Sequence, residues 1–142
     1  MVVASIASSQ LAPEQKDEIV ALLKYHPEYS SWHKKYEKTD RSIEICEFLM
    51  MHASVWPDKI RDKSNPNSKF HRPEWHYITY KMDFINGHDT SKVGDKNDAD
   101  VVWAIGHTQK MIQNGSYNYS TRAMYLAWLI HLIGDIHQPL HC

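Results

Sequence analysis

Residues 125–142 read YLAWLIHLIGDIHQPLHC, and the reading of the chain starts from them. The stretch begins as an apolar helix and then gathers His131, Asp135, His137 and His141. His131 and Asp135 are four residues apart, so their side chains project from one helical face. An imidazole and a carboxylate placed in that way can share one metal ion. Gly134 leaves room for a close approach to the aspartate. Pro139 cannot continue the helix and biases Gln138 toward an extended conformation. The chain therefore turns, and His141 can swing back toward Asp135. A lone histidine on an apolar helix is ordinarily a packed core group. A carboxylate with two imidazoles is a different case, because a buried unpaired carboxylate is costly and a metal ion removes that cost.

The chain has 142 residues, enough for one domain with a sizeable core. Its net charge of −1 argues against a broad basic surface of the kind that grips duplex nucleic acid. An enzyme that holds one or two nucleotides through metals is compatible with it. Two cysteines, Cys46 and Cys142, are too few for a disulfide framework. Residues Met1–Ala12 lack a basic start and a sustained apolar run, so they do not read as a secretory signal. No stretch is long enough to span a membrane.

Taken in order, Val2, Val3 and Ile6 have helical spacing, and Pro13 opens a second helix whose apolar face is Ile19, Val20, Leu22 and Leu23. Residues 26–40 read as a loop with a short helix; His33 is assigned no acidic partner at ligand spacing and a surface role. Thr39 or Asp40 is expected to cap a helix with Cys46, Leu49, Met50 and Ala53 inside. Residues 62–73 are loop-like, and 74–80 alternate as a short strand does. Residues 81–96 form a long loop with a hairpin turn at Asn86-Gly87. Asn97 or Asp98 should cap a helix with Val101, Val102, Trp103, Ile105, Met111 and Ile112 as its apolar surface and His107 as a core or groove histidine. Asn114-Gly115 ends it, and Ser120 or Thr121 starts the last helix. The expected fold is all-α, with a small irregular or β element near residues 75–85.

The string from His131 to His141, H-L-I-G-D-I-H-Q-P-L-H, closely resembles the signature of the S1/P1 nuclease family of zinc-dependent single-strand nucleases and 3′-nucleotidases. Zinc-dependent phospholipases C share the H-x3-D-x5-H spacing, but the flanking G-D-x-H-Q-P-L-H is closer to the nucleases. The resemblance implies that His131 binds one zinc, that Asp135 bridges two, and that His141 binds another. Trp56-Pro57-Asp58-Lys59-Ile60-Arg61 resembles the family's W-A-D-x-I-R or -K. It makes Asp58 a zinc ligand in contact with the attacking water and turns Arg61 toward the scissile phosphate. A guanidinium suits that place because it donates two parallel hydrogen bonds to a phosphoryl group. Trp75-His76-Tyr77 resembles the family's Trp-His-Phe/Tyr, which implies a zinc ligand at His76 and a nucleobase-pocket aromatic at Tyr77. Thr79 stands where fungal nucleases carry a base-binding Asp, so mild base discrimination is expected.

The family's Trp-Gly…Gly-His opening and its later His-x3-Asp do not occur in these residues. The expectation is therefore a single partial domain over 1–142, lacking the family's extreme N-terminus and C-terminal half. It implies three zinc ions in a full-length member, with one complete site here from Asp58, His76, His131 and Asp135. The full-length enzyme would hydrolyse phosphodiesters of single-stranded DNA or RNA to 5′-nucleotides, with 3′-nucleotidase activity as a further implied capacity. This piece alone is expected to be inactive. A monomer, no membrane partner, and a secreted or periplasmic location by family likeness complete the reading. Two alternatives compete with it: a phospholipase C-like zinc enzyme, and a non-catalytic helical module.

Overall fold

The computed structural model describes residues 1–39, 42–78 and 99–138, and between them only the strand backbones at 80–81, 84–85, 88–89 and 92–93. Seven α-helices make up the fold among the described residues: α1 (Val2–Ser9), α2 (Pro13–Leu23), α3 (Tyr29–Tyr36), α4 (Ile45–Ala53), α5 (Trp56–Lys59), α6 (Val101–Gln113) and α7 (Tyr119–Asp135). Single 3-10 turns occur at Ser68–Phe70 and Pro73–His76. Four two-residue strands, β1 (Tyr80–Lys81), β2 (Phe84–Ile85), β3 (His88–Asp89) and β4 (Lys92–Val93), form two antiparallel ladders, β1 with β4 and β2 with β3. The fold is all-α with this small β addition.

Helix α7 is the axis, in contact with α1, α2, α4, α5 and α6. Its buried residues are Ala123, Ala127, Trp128, His131, Leu132 and Asp135. They recur at the spacing of one helical face, and the face is apolar until its last turn. There it presents the two polar residues that the sequence brought together. The main core joins Leu132 and Trp128 to Leu23, Leu49, Trp56, Ile60 and Val101. Full burial of a leucine such as Leu132 contributes roughly 1.5–3 kcal/mol. Asn118 caps α7 by accepting from the Thr121 N–H at 2.8 Å, which satisfies one of the first-turn donors.

Several boundaries depart from the sequence reading. The caps are Asn118 rather than Ser120 or Thr121, and Asp100 rather than Asn97 or Asp98. Asp100 accepts from the Trp103 N–H at 2.8 Å; Asn97 and Asp98 lie outside the described residues. Helix α4 starts at Ile45, and its N-cap Glu44 makes no side-chain cap. The Thr39 hydroxyl instead donates to the Tyr36 carbonyl at 2.7 Å and closes α3; Asp40 lies outside the described residues. The strand expected over 74–80 is a 3-10 turn at Pro73–His76, because Pro73 fixes a turn-compatible φ. The backbone becomes extended only at Tyr77.

The inward faces of α1 and α6 carry small residues rather than the largest apolar ones. In α6 the inward residues are Val101, Ala104 and Thr108, whereas Val102 and Trp103 are exposed. Ala104 packs in the same core as Ala127 of α7, and small side chains allow two helix backbones to come close. In α1 the residues turned inward are Ala4 and Ser8, and Val2 and Ile6 face outward. His33 does have an acidic neighbour at i+4: its Nδ1 lies 3.6 Å from Glu37 Oε1, with both side chains exposed. Cys46 is a buried free thiol whose Sγ lies 3.8 Å from Met50 Sδ. Cys142 lies outside the described residues.

Candidate metal centre

The last turn of α7 delivers His131 and Asp135 into the core, and the 3-10 turn after Pro73 delivers His76 against them. His131 Nδ1 lies 2.7 Å from the Ser54 carbonyl at the end of α4. A carbonyl only accepts, so the proton sits on Nδ1 and the Nε2 lone pair faces the cluster. That backbone oxygen thereby fixes the tautomer a metal ligand needs. His131 Nε2 is 2.9 Å from Asp135 Oδ2 and 2.9 Å from His76 Nδ1. His76 Nδ1 is in turn 3.0 Å from the same Asp135 oxygen. All three residues are buried.

These contacts cannot all be good hydrogen bonds while both imidazoles are neutral. A His76 Nδ1–H can donate to Asp135 or to His131, which leaves the His131 lone pair facing a carboxylate oxygen. The triangle is short of one positive charge, which a proton or a metal ion supplies. Burial alone would push the Asp135 carboxyl up, but hydrogen bonds from His131 and His76, with their charge, hold it well below the usual carboxylate range. Burial pulls the His131 imidazole down, and the Asp135 contact, aided by the Ser54 carbonyl, outweighs it and raises the group.

Asp58 joins this centre from the other side. It sits in the short helix α5, which the fully buried Trp56 and Ile60 anchor. Asp58, His76 and His131 each offer one ligand atom, and these atoms lie within 4.8 Å of one another. Two ligand bonds of ~2.0–2.2 Å span at most about 4.4 Å, so the donors are already gathered near the distance at which one ion serves them all. The chemistry of the set, imidazole nitrogens with carboxylate oxygens, suits a divalent cation of the zinc type. Asp58 Oδ1 also lies 3.5 Å from Arg61 Nη1, with both side chains half-exposed. The basic group therefore stands at the solvent side of the cluster. A cavity of ≈ 300 Å³ opens there, lined by Ser54, Asp58, His131, Gly134 and Asp135. A Cβ added at Gly134 would meet nothing within 4 Å, which leaves approach to Asp135 open.

The family model of the S1/P1 nucleases matches residues 1–142, the whole chain. The chain belongs to the S1/P1 nuclease family. That membership makes it a hydrolase domain of metal-dependent nuclease type, with nucleic acid as the substrate class. Comparison with curated proteins and with solved structures returned no match. In this S1/P1 nuclease, no helix among the described residues is long and apolar enough to cross a membrane.

Of the residues singled out from sequence, the fold gathers Asp58, His76, His131 and Asp135, and sets Arg61 and Tyr77 at the margin. The Tyr77 ring lies 6.0 Å from that of His76 and is 39% exposed, enough to present a face. His141 and Thr79 lie outside the described residues. His137 points its Nδ1 back to the Ile133 carbonyl, 2.6 Å away, on an exposed turn. Three further contributors went unread. The Ser54 carbonyl is backbone and leaves no residue-type signal. Trp128 walls the centre, edge-on to His76 at 5.4 Å and to His131 at 6.0 Å; it reads as ordinary core. His71 lies 5.8 Å from His76 ring to ring, with a buried Nε2 that has no partner. Its only signal was its place five residues before His76, across Pro73.

Proposed function

We propose that this S1/P1 nuclease domain is a zinc-dependent phosphodiesterase acting on single-stranded DNA or RNA. Its products would be 5′-nucleotides, and it would also remove 3′-phosphates. The observation that carries the reading is the convergence of Asp58, His76, His131 and Asp135 with a His131 lone pair held inward by the Ser54 carbonyl. Those four residues would hold the ion. A bound zinc ion supplies Lewis acidity, which acidifies water near neutral pH and offsets charge on phosphoryl oxygens.

The chain's own residues have separate tasks. Ser54 keeps His131 in one tautomer and one orientation. Asp135, held ionised by two imidazoles, supplies negative charge to the site over the whole neutral range. Asp58, at the solvent side, can accept a hydrogen bond from the attacking water and orient it. Arg61 beside it places a guanidinium where charge builds on the phosphoryl group. Tyr77 offers a π-face to the base next to the scissile bond, and His141 would serve a neighbouring ion. These residues supply one complete ligand set, so the chain should hold one ion firmly.

The test is metal analysis of the dialysed protein, for the wild type and His76→Ala, with hydrolysis of denatured DNA, RNA and phosphatidylcholine measured in parallel. About one zinc per chain, lost in the variant, is expected. Nucleic acid should be the polymer attacked, however slowly. Three tightly held ions would refute the ligand assignment, and hydrolysis of phosphatidylcholine alone would refute the substrate class.

A further inference from the structure

A histidine that binds a metal through one ring nitrogen carries its proton on the other, and that N–H ordinarily donates to a fixed partner. For His131 the partner is the Ser54 carbonyl, 2.7 Å from Nδ1. His76 has no such bond among the described residues. It turns Nδ1 toward Asp135 and His131, and its Nε2 is buried and without a hydrogen-bond partner. A neutral imidazole has one N–H and one lone pair. With the Nδ1 lone pair directed at an ion, the proton of His76 must sit on Nε2, as a donor shut away from water. Buried donors left unmet are rare and costly.

Four rings lie against His76: His71, Tyr77, Trp128 and His131. The Trp128 indole only donates. His131 has both nitrogens engaged. Tyr77 lies at the exposed margin. His71 has its ring centre 5.8 Å from that of His76, and its own Nε2 is likewise buried and without a partner. With its proton on Nδ1, His71 offers at Nε2 the acceptor that His76 lacks. Two buried, unpartnered nitrogens thus stand on neighbouring rings, and one hydrogen bond satisfies both. An N–H···N bond of about 3 Å sets two imidazole centres about 5 Å apart, so an adjustment of less than about 1 Å makes it.

The loop that carries His71 is fastened on both sides of it. Asn65 Oδ1 accepts the Asn67 N–H at 2.8 Å, and the Asn67 side-chain amide donates to Glu28 at 3.0 Å. Phe70 packs against the main core. The His71 N–H donates to the Ser68 carbonyl at 3.0 Å, and Arg72 Nη1 donates to the His71 carbonyl at 2.8 Å. Pro73 then starts the turn that ends at His76.

We infer that His71 is a positioning residue of the metal centre: its Nε2 accepts the His76 Nε2–H and holds His76 in the tautomer and orientation that direct Nδ1 at the ion. The inference deepens the proposed metal centre and rests on it for the ion. His71 acts through His76 and touches neither ion nor substrate.

The experiment uses the full 142-residue chain and zinc alone. Zinc affinity is measured by competition with a chromophoric chelator for the wild type, His71→Phe and His71→Gln. Phenylalanine keeps a ring and accepts nothing, whereas glutamine brings a carbonyl oxygen that accepts. We expect affinity to fall about 10–100-fold in His71→Phe and His71→Gln to recover most of that loss. A packing role alone predicts the opposite order, because phenylalanine preserves the ring. A second readout needs no substitution. Nitrogen NMR of the zinc-loaded wild type should show His76 with a slowly exchanging proton on Nε2 and with Nδ1 as the metal-bound nitrogen. Three results would overturn the inference: equal zinc affinity in the wild type and His71→Phe, weaker binding in His71→Gln than in His71→Phe, or a His76 proton on Nδ1 in the loaded protein. Failure of the wild type to bind zinc refutes the ligand assignment and this inference with it. Zinc binding that is lost in His76→Ala but unchanged in His71→Phe refutes only the role of His71.

Discussion

His26 makes the acid stability of the scaffold calculable. It is buried, stacked on Trp32 at 4.4 Å and edge-on to Trp56 at 4.7 Å. Its Nδ1 accepts the Glu28 N–H at 3.1 Å, so the ring is held neutral, and Nε2 has no partner. Burial pushes its pKa from 6.5 down to about 3. The folded state therefore resists a proton that the unfolded chain takes up readily. The stability at stake is fully present above pH 6.5 and is lost as pH falls from there toward 3. At pH 4.5 the unfolded imidazole is about 99% protonated and the folded one almost wholly neutral, which costs about 2.7 kcal/mol. A folded value one unit higher would change that figure by only about 0.1 kcal/mol.

The perturbation is His26→Phe, which keeps a ring on Trp32 and removes the titration. Urea unfolding at pH 7.5 and pH 4.5 gives the loss on acidification for each protein. The wild type should lose about 2.7 kcal/mol more than the variant over that interval. The remaining titrations occur in both proteins and largely cancel in the difference. Equal losses would refute the reasoning and would mean that His26 is hydrated or exchanges its proton in the folded state. The consequence reaches the metal centre, because Trp56 opens the short helix that carries Asp58. Acid loosening at His26 should therefore release metal before the fold is lost.

Three further outcomes are expected. Leu132→Ala removes a fully buried side chain from the core between His131 and Asp135, so urea unfolding should show a loss of about 2–5 kcal/mol. Asp100→Ala removes the side-chain acceptor for the Trp103 N–H; calorimetry should show a loss of about 1 kcal/mol and a fall in Tm of a few degrees. Zinc present at about a hundred times its dissociation constant should add about 2.7 kcal/mol of stability; a chelator should abolish that increment, and His76→Ala should show none.

The helix order and the centre of the site were legible, because α7 carries a long apolar pattern that ends in His131 and Asp135 one turn apart. Their shared face follows from helical geometry alone. Asp58 was legible only through the likeness of its hexapeptide, since an acid on a four-residue helix has no periodic signal. What failed has physical causes. In α6 the inward face is read by fit rather than by hydrophobicity, so Ala104 and Thr108 took the places expected for Val102 and Trp103. The alternation of residues 74–80 pointed to a strand, and Pro73 imposed a turn on its first half. His33 faces Glu37 at helical spacing, a pair that was visible in the sequence and was missed. The Ser54 carbonyl that sets the His131 tautomer has no side-chain signature at all.

The position of the cluster favours a functional role over a packing one. Every other inward residue of α7 is alanine, leucine or tryptophan, and the face meets a core in which such residues suffice. His131 and Asp135 continue that face with a base and an acid, and His76 is pressed onto both by a proline turn. Replacing buried charged groups by well-packed apolar ones is often neutral or stabilising, so packing alone gives no reason to keep them. Hydrogen bonding gives no better reason, because two of the three contacts share one acceptor oxygen, the third joins the two imidazoles, and the triangle lacks one positive charge. A cation placed among His76, His131, Asp135 and Asp58 supplies the missing charge and gives the His131 lone pair a partner. The arrangement is costly as a core and has the chemistry of a ligand set. The fold also leaves one side of it open to a cavity lined in part by Asp58, whose carboxylate pairs with Arg61. A structural ion needs no such opening, whereas a hydrolytic centre must admit water and a phosphodiester.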